Sequence, residues 1–333
     1  MGPIWKRFWV LGIGLLGLVG ILVSITAGTA VTAQSQRGPR STPSSSFTLP
    51  GGSSVEFLDF ESQALQGRGQ YSIFFPPSYG ASDRTYPVIY FLHGLFNDHA
   101  SWTGSEYGNI PARVEQLMLD KRVPEMILVY PNGGRSFYTN YHDGRLRYED
   151  FVVEELVTHV ESTHRVRAGR KNRSIAGTSM GGYGALKIAM KHPDVYSAVA
   201  AHSPIVFLTK NPLDVPPALK SNRRFAFFND VFSTVYGNPL DQAHYDANNP
   251  LLLARSQDLD GLAIYFDYGT ADRYNELIQL GRGLESLDRI LTEEGVPHEF
   301  HEHPGSLTDG RSLRRTSRSP CRSLPKRSEG PLV

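Results

Sequence analysis

The feature that most constrains this chain is a serine flanked by glycines, Gly177-Thr178-Ser179-Met180-Gly181, which joins two segments of different periodicity. The residues before it form a short apolar run typical of a buried strand, and those after it continue with helical spacing. A strand that turns directly into a helix holds Ser179 in a strained backbone conformation, with its hydroxyl raised above the sheet. A side chain at 177 or 181 would collide with neighbouring backbone, so glycine is expected at both positions.

Ser179 in this setting is a candidate nucleophile. The helix that begins at Met180 directs its first N–H groups towards the place where an oxyanion would form. His93-Gly94-Leu95 follows an earlier buried strand, where a second oxyanion donor is expected. The backbone N–H groups of Leu95 and Met180 are therefore the predicted oxyanion hole. A chance pentapeptide in a glycine-rich loop is the alternative, which the flanking strand and helix disfavour.

The predicted acid is Asp272, on the loop that follows the strand containing Tyr265–Tyr268. Ligands and catalytic groups collect at the carboxyl edge of such a sheet, and an acid there would orient an imidazole. Asp267 at the strand's end is expected to brace the loop, and Glu276 to be solvated on the next helix. His93 comes too early in the chain for the order Ser, Asp, His, so a structural role is expected for it.

Short apolar runs alternate with amphipathic segments along most of the chain. The runs within residues 87–94 and 126–134 read as buried strands, and those within 198–204 and 262–269 as further strands. Segments with apolar residues at helical spacing stand between them. This alternation predicts an α/β fold, a mostly parallel sheet with helices on both faces, preceded by an antiparallel pair at 54–60 and 69–75. Residues 204–255 break the pattern and are predicted to fold beside the site.

The N-terminus predicts export from the cytoplasm. Lys6 and Arg7 precede an uncharged apolar run, and small residues end in Val31-Thr32-Ala33, as in a secretory signal cut near residue 33. Residues 8–33 could also span a bilayer, so an uncleaved anchor that tethers the chain to a membrane is the alternative. In both cases the body is expected to be secreted or extracytoplasmic.

The remaining organisation follows from composition. After residues 1–33 we expect a Pro/Ser-rich linker over 34–50, a folded domain over 51–305 and a disordered basic tail over 306–333. The tail has seven Lys or Arg and two Asp or Glu, a local charge of +5, which leaves −4 for the other 305 residues. Cys321 is the single cysteine, so stability must come from the core and not from an internal disulfide.

Several ordered blocks between about residues 55 and 305 are specific. They include YPVIYFLHG with Trp102 downstream, YPNG, NPLLLA, and DYGTAD before a long helix. Together with the serine turn, they resemble the putative esterase family of α/β-hydrolases, which includes S-formylglutathione hydrolases, feruloyl esterases and mycolyltransferases. The resemblance implies the α/β-hydrolase fold, a Ser-Asp-His triad, and action on ester or thioester bonds.

The resemblance ends abruptly. In that family the last strand leads to Pro-Gly, one small residue, the catalytic His, a Trp and a closing helix. Here Pro304-Gly305-Ser306 leads to Leu307-Thr308-Asp309-Gly310-Arg311, and neither His nor Trp follows residue 303. In a shifted frame, the degenerate codons of Leu307–Ser312 permit His-Gly-Trp-Ala-Phe. We therefore hypothesise a frameshift near codon 306, after which the periodic apolar pattern is lost.

Three histidines, His298, His301 and His303, stand just before this break. Strand alternation predicts that His301 and His303 share a face and that His298 points the other way. His303 is the candidate substitute for the missing base, although a base must come within about 3 Å of the serine hydroxyl. The alternative is that all three are ordinary strand histidines. Without a base, only residual catalysis from binding and the oxyanion hole is expected.

Three functions are compatible with these residues. The first is a secreted serine esterase acting on a small-molecule ester or acyl donor, the second an acyltransferase that moves the acyl group to a sugar hydroxyl, and the third a non-catalytic homologue. The histidines lack a partner set with metal-ligand spacing. The sequence also has no glycine-rich phosphate loop and no aromatic–basic nucleic-acid surface. We therefore expect no metal, no cofactor and no nucleic-acid partner.

Overall fold

The computed structural model describes residues 45–305, except 105–106, 209, 213–222, 273 and 276–278. The predicted signal segment, most of the predicted linker, Glu276 and the basic tail lie outside the described residues.

Within the described ranges, nine strands form one sheet in the order β1-β2-β3-β5-β4-β6-β7-β8-β9. They are β1 Ser45–Thr48, β2 Ser54–Ser62, β3 Gly67–Phe75, β4 Val88–Leu92, β5 Ile127–Pro131, β6 Arg173–Thr178, β7 Ala198–His202, β8 Ala263–Gly269 and β9 His298–His303. The pairings of β1 with β2, β2 with β3 and β3 with β5 are antiparallel. All later pairings are parallel, so the mostly parallel sheet and the first antiparallel pair are confirmed.

The helices lie mainly between the parallel strands. They are α1 Ile110–Leu119, α2 Tyr148–Asp150, α3 Val157–Thr163, α4 Met180–Lys191, α5 Arg223–Tyr236, α6 Gln242–Asp246, α7 Pro250–Ser256 and α8 Leu280–Glu293. Short 3₁₀ turns occupy Tyr79–Ala81, Ser101–Thr103 and Arg170–Asn172. The excursion predicted over 204–255 therefore contains α5, α6 and α7 among its described residues.

The predicted helix after the second buried strand contains an irregular turn. Residues Phe151–Leu156 are π-helical and join α2 to α3. Within this turn, Glu155 reaches the β2–β3 connection, where its carboxylate accepts hydrogen bonds from the Ala64 N–H at 2.9 Å and from the Ser62 hydroxyl. The wider turn thus places an acid beside the hairpin, which helical periodicity alone does not reveal.

Helices cover both faces of the sheet. On one face, Phe74 and Tyr130 are buried in a cluster with Met118 of α1. On the other, Tyr90 and other inward residues are buried in a larger cluster with Leu186 of α4. Strand alternation produces this division, because neighbouring residues of a strand point to opposite faces. The prediction of helices on both faces is confirmed.

The α1 face stays open at the far end of the sheet. The register aligns Phe91 with Ala176, Ala200, Tyr265 and Glu299 across β4, β6, β7, β8 and β9, so these side chains share the α1 face. Ala200 and Tyr265 are only partly buried, and Glu299 is exposed. Among the described residues, no helix covers this part of the sheet.

The predicted linker ends earlier than expected. Its last residues, Ser45–Thr48, form the edge strand β1, which pairs with β2 in the register Phe47 with Val55. All four residues of β1 are exposed, so main-chain pairing along the free edge of β2 holds them in place. An exposed strand of four residues has no apolar alternation that the sequence could reveal.

Candidate active site

The serine turn has the predicted strand–turn–helix geometry. Ser179 is the single residue between β6 and α4, with φ +55° and ψ −117°, a conformation that a residue with a Cβ rarely adopts. Its backbone N–H donates to the His202 carbonyl at 2.9 Å, and its own carbonyl accepts from the Tyr183 N–H at 3.0 Å. The serine is partly exposed while its neighbours are buried. The turn thus presents one side chain to solvent at the carboxyl edge of the sheet.

The two flanking glycines leave no room for a side chain. A Cβ placed on Gly177 would lie 2.2 Å from the carbonyl oxygen of Gly181. A Cβ placed on Gly181 would lie 2.0 Å from the carbonyl oxygen of Leu92, at the end of β4. Both contacts are with backbone, which cannot rotate away, so the predicted collisions are present. The close approach of Gly181 also brings the β4 loop against the serine turn.

This β4 loop carries the predicted second oxyanion donor. A Cβ placed on Gly94 would lie 3.7 Å from the Ser179 Cβ, so the loop runs beside the serine. In the described part of the chain, the N–H groups of Leu95 and Met180 donate to no other group. Two unused amides beside a raised serine match what an oxyanion hole requires.

His93 is held by neighbouring loops through both ring nitrogens. Its Nδ1 donates to the Gly94 carbonyl at 2.8 Å, and its Nε2 accepts from the Gly133 N–H at 2.9 Å. Burial lowers the pKa of the ring to about 4, so the imidazole is neutral at physiological pH. The His93 ring is thus fixed and neutral, and both of its nitrogens are hydrogen-bonded. This arrangement is consistent with the structural role expected for His93.

Two tyrosines that sequence reasoning missed hold the same loop. The Tyr138 hydroxyl accepts from the His93 N–H at 2.8 Å, and the Tyr107 hydroxyl accepts from the Gly94 N–H at 3.1 Å. The Tyr107 hydroxyl in turn donates a hydrogen bond to Asn97 Oδ1 at 2.8 Å. Tyr138 adopts φ +52°, and no local signal in the sequence marks a tyrosine for that conformation. The oxyanion loop is therefore braced by side chains that are distant in sequence.

An ion-pair network lies beneath the serine helix. Lys187 of α4 is fully buried, and its ammonium contacts the Tyr138 carbonyl at 2.6 Å and the Glu149 carboxylate at 2.5 Å. Burial lowers the pKa of Lys187 to about 8, which leaves it charged at neutral pH. Burial acts to raise the pKa of Glu149, but Lys187, His192 and Lys191 outweigh it and hold that pKa well below its usual range. The network ties α4 to the Tyr138 loop.

Asp272 lies where the predicted acid should be. It follows β8 at the carboxyl edge and is 4% exposed. Its backbone N–H donates to the Gly269 carbonyl at 3.0 Å, and its Oδ1 accepts from the Tyr274 N–H at 2.8 Å. The carboxylate is thus fixed in a tight loop.

His303 contacts a different acid. Its Nε2 lies 3.1 Å from Oδ2 of Asp267, and the same carboxylate binds His202 Nδ1 at 3.0 Å and the Tyr265 hydroxyl at 2.8 Å. Burial acts to raise the pKa of Asp267, but the hydrogen bond from His202 and its other partners lower it overall. These groups lie on the open α1 face of the sheet. The structure thus joins His303 to Asp267 and not to Asp272.

The other two histidines follow the predicted alternation. His301 pairs in register with Asp267, lies on the same open face, and has its ring 5.5 Å from that of Tyr265. His298 points to the opposite face, where it stacks on Phe266 and lies 2.9 Å from Asp288 of α8. Within the described ranges, no group of three or more His, Cys, Asp or Glu residues is arranged to hold a metal ion. In the same ranges, no helix has the length and apolarity needed to cross a membrane.

Comparison with known proteins places this geometry in context. The sequence model of one family, described as "Putative esterase", matches residues 62–309, more than half of the chain. An esterase of Mycobacterium tuberculosis strain H37Rv is 32% identical over 262 residues, which cover 75% of this chain and 54% of the relative. The chain therefore spans about half the length of that relative. An acetyl esterase of Caldicellulosiruptor saccharolyticus is 26% identical over 221 residues, 66% of this chain and 76% of the relative.

Solved structures are similar along most of the described domain. A ferulic acid esterase has a TM-score of 0.62 at 24% identity, over 80% of this chain and 94% of its own. An S-formylglutathione hydrolase from Agrobacterium tumefaciens has a TM-score of 0.61 at 20% identity, over 81% and 93%. The substrate-bound serine hydrolase FphF from Staphylococcus aureus has a TM-score of 0.62 at 22% identity, over 80% and 95%. These likenesses establish the α/β-hydrolase fold.

Proposed function

Because the chain belongs to the putative esterase family of α/β-hydrolases, we propose that it is a serine esterase acting on ester or thioester bonds through Ser179. The observation that carries the proposal is the φ of +55° at Ser179 between β6 and α4, with the unused amides of Leu95 and Met180 beside it. A strained, partly exposed serine next to two free N–H donors is suited to attack a carbonyl and stabilise the resulting oxyanion.

The reaction proceeds in two steps. The Ser179 hydroxyl attacks the carbonyl carbon while a histidine base takes its proton. The carbonyl oxygen becomes an oxyanion, which accepts hydrogen bonds from the N–H groups of Leu95 and Met180. The histidine returns the proton to the leaving alcohol or thiol as the acyl-enzyme forms. Water, activated by the same histidine, then releases the acid. Asp272 holds the imidazole in the required tautomer and stabilises its charged form.

The chain as written lacks that histidine. His303 is the last histidine in the sequence, and its Nε2 contacts Asp267. The main chain leaves β9 beside the acid loop, because the Thr270 N–H donates to the His303 carbonyl at 3.1 Å and the Gly305 N–H donates to the Thr270 hydroxyl at 3.0 Å. A histidine encoded within a few residues of Gly305 would therefore start next to Asp272. This placement supports a frameshift near codon 306 and low activity of the written chain.

The decisive experiment compares three proteins with p-nitrophenyl acetate: the written chain, a restored-frame protein in which the shifted reading encodes His-Gly-Trp after Ser306, and the restored-frame protein with Ser179→Ala. We expect hydrolysis only in the restored-frame protein that retains Ser179. Equal rates with and without Ser179 would overturn the serine esterase. Equal rates for the written and restored chains would overturn the loss of the base.

Acyl transfer to a sugar hydroxyl uses the same nucleophile and oxyanion hole, with the sugar in place of water. Analysis of the restored-frame protein's products in the presence of trehalose separates the two reactions, because transfer yields an acylated sugar and hydrolysis yields a free acid.

We further propose that the protein acts outside the cytoplasm, from the charged and apolar pattern of residues 1–33. N-terminal sequencing of exported protein would distinguish cleavage near residue 33 from a retained anchor.

A further inference from the structure

A large apolar side chain stands unburied next to the oxyanion loop. Phe96 directly follows Leu95 and is 67% exposed, the most exposed large hydrophobic residue in the described part of the chain. Its ring stacks on that of Phe227 in α5, with centroids 5.3 Å apart and planes inclined by 25°. One face of Phe96 is therefore occupied by protein, and most of the ring remains open to solvent. Exposed aromatic rings beside a reactive group are typical of ligand contact.

A cation completes this patch. The Arg135 guanidinium lies 4.9 Å from the centre of the Phe227 ring. Arg135 is exposed, and no carboxylate of the described residues lies within ion-pair distance of it. An arginine without an acidic partner keeps its planar set of N–H donors free for an anion.

The loop that carries Arg135 is fixed to the oxyanion loop. The neighbouring Gly133 N–H donates to His93 Nε2, and the Ser136 hydroxyl donates to the Gly133 carbonyl at 2.6 Å. Phe137, which follows, packs edge-on against Phe228 of α5 and Tyr183 of the serine helix. The main chain that carries Arg135 is therefore held in place relative to Leu95 and Phe96, and the Phe227 ring orients the guanidinium, as a binding site requires.

We propose, on the basis of the serine esterase function above, that Phe96, Phe227 and Arg135 form a binding subsite for an aromatic group that bears a carboxylate or similar anion. The substrate's ring would stack on the open face of Phe96, and its anionic group would accept hydrogen bonds from Arg135. Ser179 lies near the same loop, because a Cβ added at Gly94 would lie 3.7 Å from the Ser179 Cβ. Phe96 is two residues further on, at most about 7 Å along the chain, which an aryl ester can span. The preferred substrates are thus esters with an acidic aromatic group.

Boronic acids test this subsite in the written chain, because they add to a serine hydroxyl without needing turnover. Binding of 4-carboxyphenyl-, 4-carbamoylphenyl- and butylboronic acid would be measured by calorimetry. We expect the carboxyphenyl compound to bind about fivefold more tightly than the carbamoyl compound, the upper range for an exposed ion pair. Arg135→Gln should remove this preference, and Arg84→Gln, which loses an exposed arginine over the Tyr86 ring before β4, should keep it.

The aromatic part of the subsite has its own control. Phe96→Ala should abolish the preference for the carbamoylphenyl compound over the butyl compound, and Phe47→Ala, on the distant edge strand β1, should not. An unchanged carboxylate preference in Arg135→Gln, or an unchanged aryl preference in Phe96→Ala, overturns the subsite. If Ser179→Ala binds all three compounds as tightly as the unmodified chain, the placement of the subsite beside Ser179 is overturned, whereas the esterase itself is decided separately by the p-nitrophenyl acetate comparison.

Discussion

The Nε2 atom of His303 lies 3.1 Å from Oδ2 of Asp267, whereas the buried carboxylate of Asp272 accepts the N–H of Tyr274 two residues further on. Two acids thus stand at the end of β8, and the last histidine of the chain contacts the one on the strand. The Asp267 carboxylate already accepts hydrogen bonds from His202 and Tyr265, so its bonding capacity is used by side chains on the open face of the sheet. Asp272 occupies the loop at the edge, on the same side as the serine turn.

This division predicts unequal effects of removing the two acids. In the restored-frame protein, Asp272→Asn should lower kcat for p-nitrophenyl acetate by about 10⁴-fold, since the imidazole would lose the partner that sets its tautomer. Asp267→Asn should lower kcat by less than about tenfold, because it changes hydrogen bonds to strand side chains that take no part in the proposed reaction. A larger loss from Asp267→Asn would reassign the catalytic acid.

Gly181→Ala should destabilise the fold strongly. The added Cβ would lie 2.0 Å from the Leu92 carbonyl, and two backbone segments would have to separate. We expect a loss of about 3 kcal/mol in the free energy of unfolding, the upper range for overpacking, measured by urea titration. Gly80→Ala is the matched control, because a Cβ at Gly80 meets no atom within 4 Å. It should change stability by less than about 0.5 kcal/mol. Equal midpoints for the two variants would contradict the close approach of β4 and α4.

Tyr138→Phe should weaken the oxyanion loop. The variant leaves the buried N–H of His93 without its acceptor, which costs about 1–3 kcal/mol of stability. Tyr90→Phe provides the comparison, since the Tyr90 hydroxyl is buried and has no hydrogen-bond partner among the described residues. Removing that hydroxyl should be neutral or slightly stabilising. Thermal melts of both variants, together with kcat of their restored-frame forms, would test whether the Tyr138 hydroxyl holds the loop. Equal Tm and kcat for the two variants would rule out that role.

Burial of His93 predicts an acid-sensitive fold. Its pKa falls from an ordinary value of 6.5 to about 4 on folding. Between these values the unfolded chain binds a proton that the folded chain does not, so the stability due to the neutral ring is complete above about pH 6.5 and is lost as the pH falls towards 4. The full difference corresponds to about 3 kcal/mol. Urea titrations at several pH values should give a shallower acid slope for His93→Gln, and parallel curves would contradict the assignment.

The ion pairs of Glu149 predict a contrast between two lysines on one helix. Lys187→Met removes a fully buried cation and should cost about 3 kcal/mol or more, because the buried Glu149 loses a direct partner. Lys191 contacts the same carboxylate at 2.7 Å, but its side chain is 26% exposed. Lys191→Met should therefore cost less than about 1 kcal/mol, as is usual for exposed pairs. Chemical denaturation would rank the two, and the reverse order would place the main stabilising contact at the surface.

The sheet and the serine turn were predictable because their signals are local. Apolar runs mark the parallel strands, and glycines on both sides of Ser179 mark a close backbone approach: a Cβ added at Gly181 or Gly177 would lie 2.0 or 2.2 Å from a backbone oxygen. Strand alternation likewise assigned His298 and His303 to opposite faces. In these cases one short segment carries all the information, since the period of the element determines which way each side chain points.

The features that the sequence did not predict depend mainly on contacts between residues far apart in the chain. Tyr107 and Tyr138 reach the β4 loop from later segments, and a bond such as that from the Gly94 N–H to the Tyr107 hydroxyl leaves no periodic trace. The same holds for the contact of His303 with Asp267, which depends on the pairing of β8 with β9. The π-helical turn at Phe151–Leu156 was also missed, because a single wide turn hardly alters the apolar pattern of a helix.

The strand order has a consequence for synthesis on the ribosome. β7, β8 and β9 each pair with the strand made immediately before them, so this edge of the sheet can grow in the order in which the nascent chain emerges. All nine strands have been translated by residue 303, before codon 306 is read. The frameshift proposed at that codon would therefore change what the protein can catalyse without removing any of the described strands from the sheet.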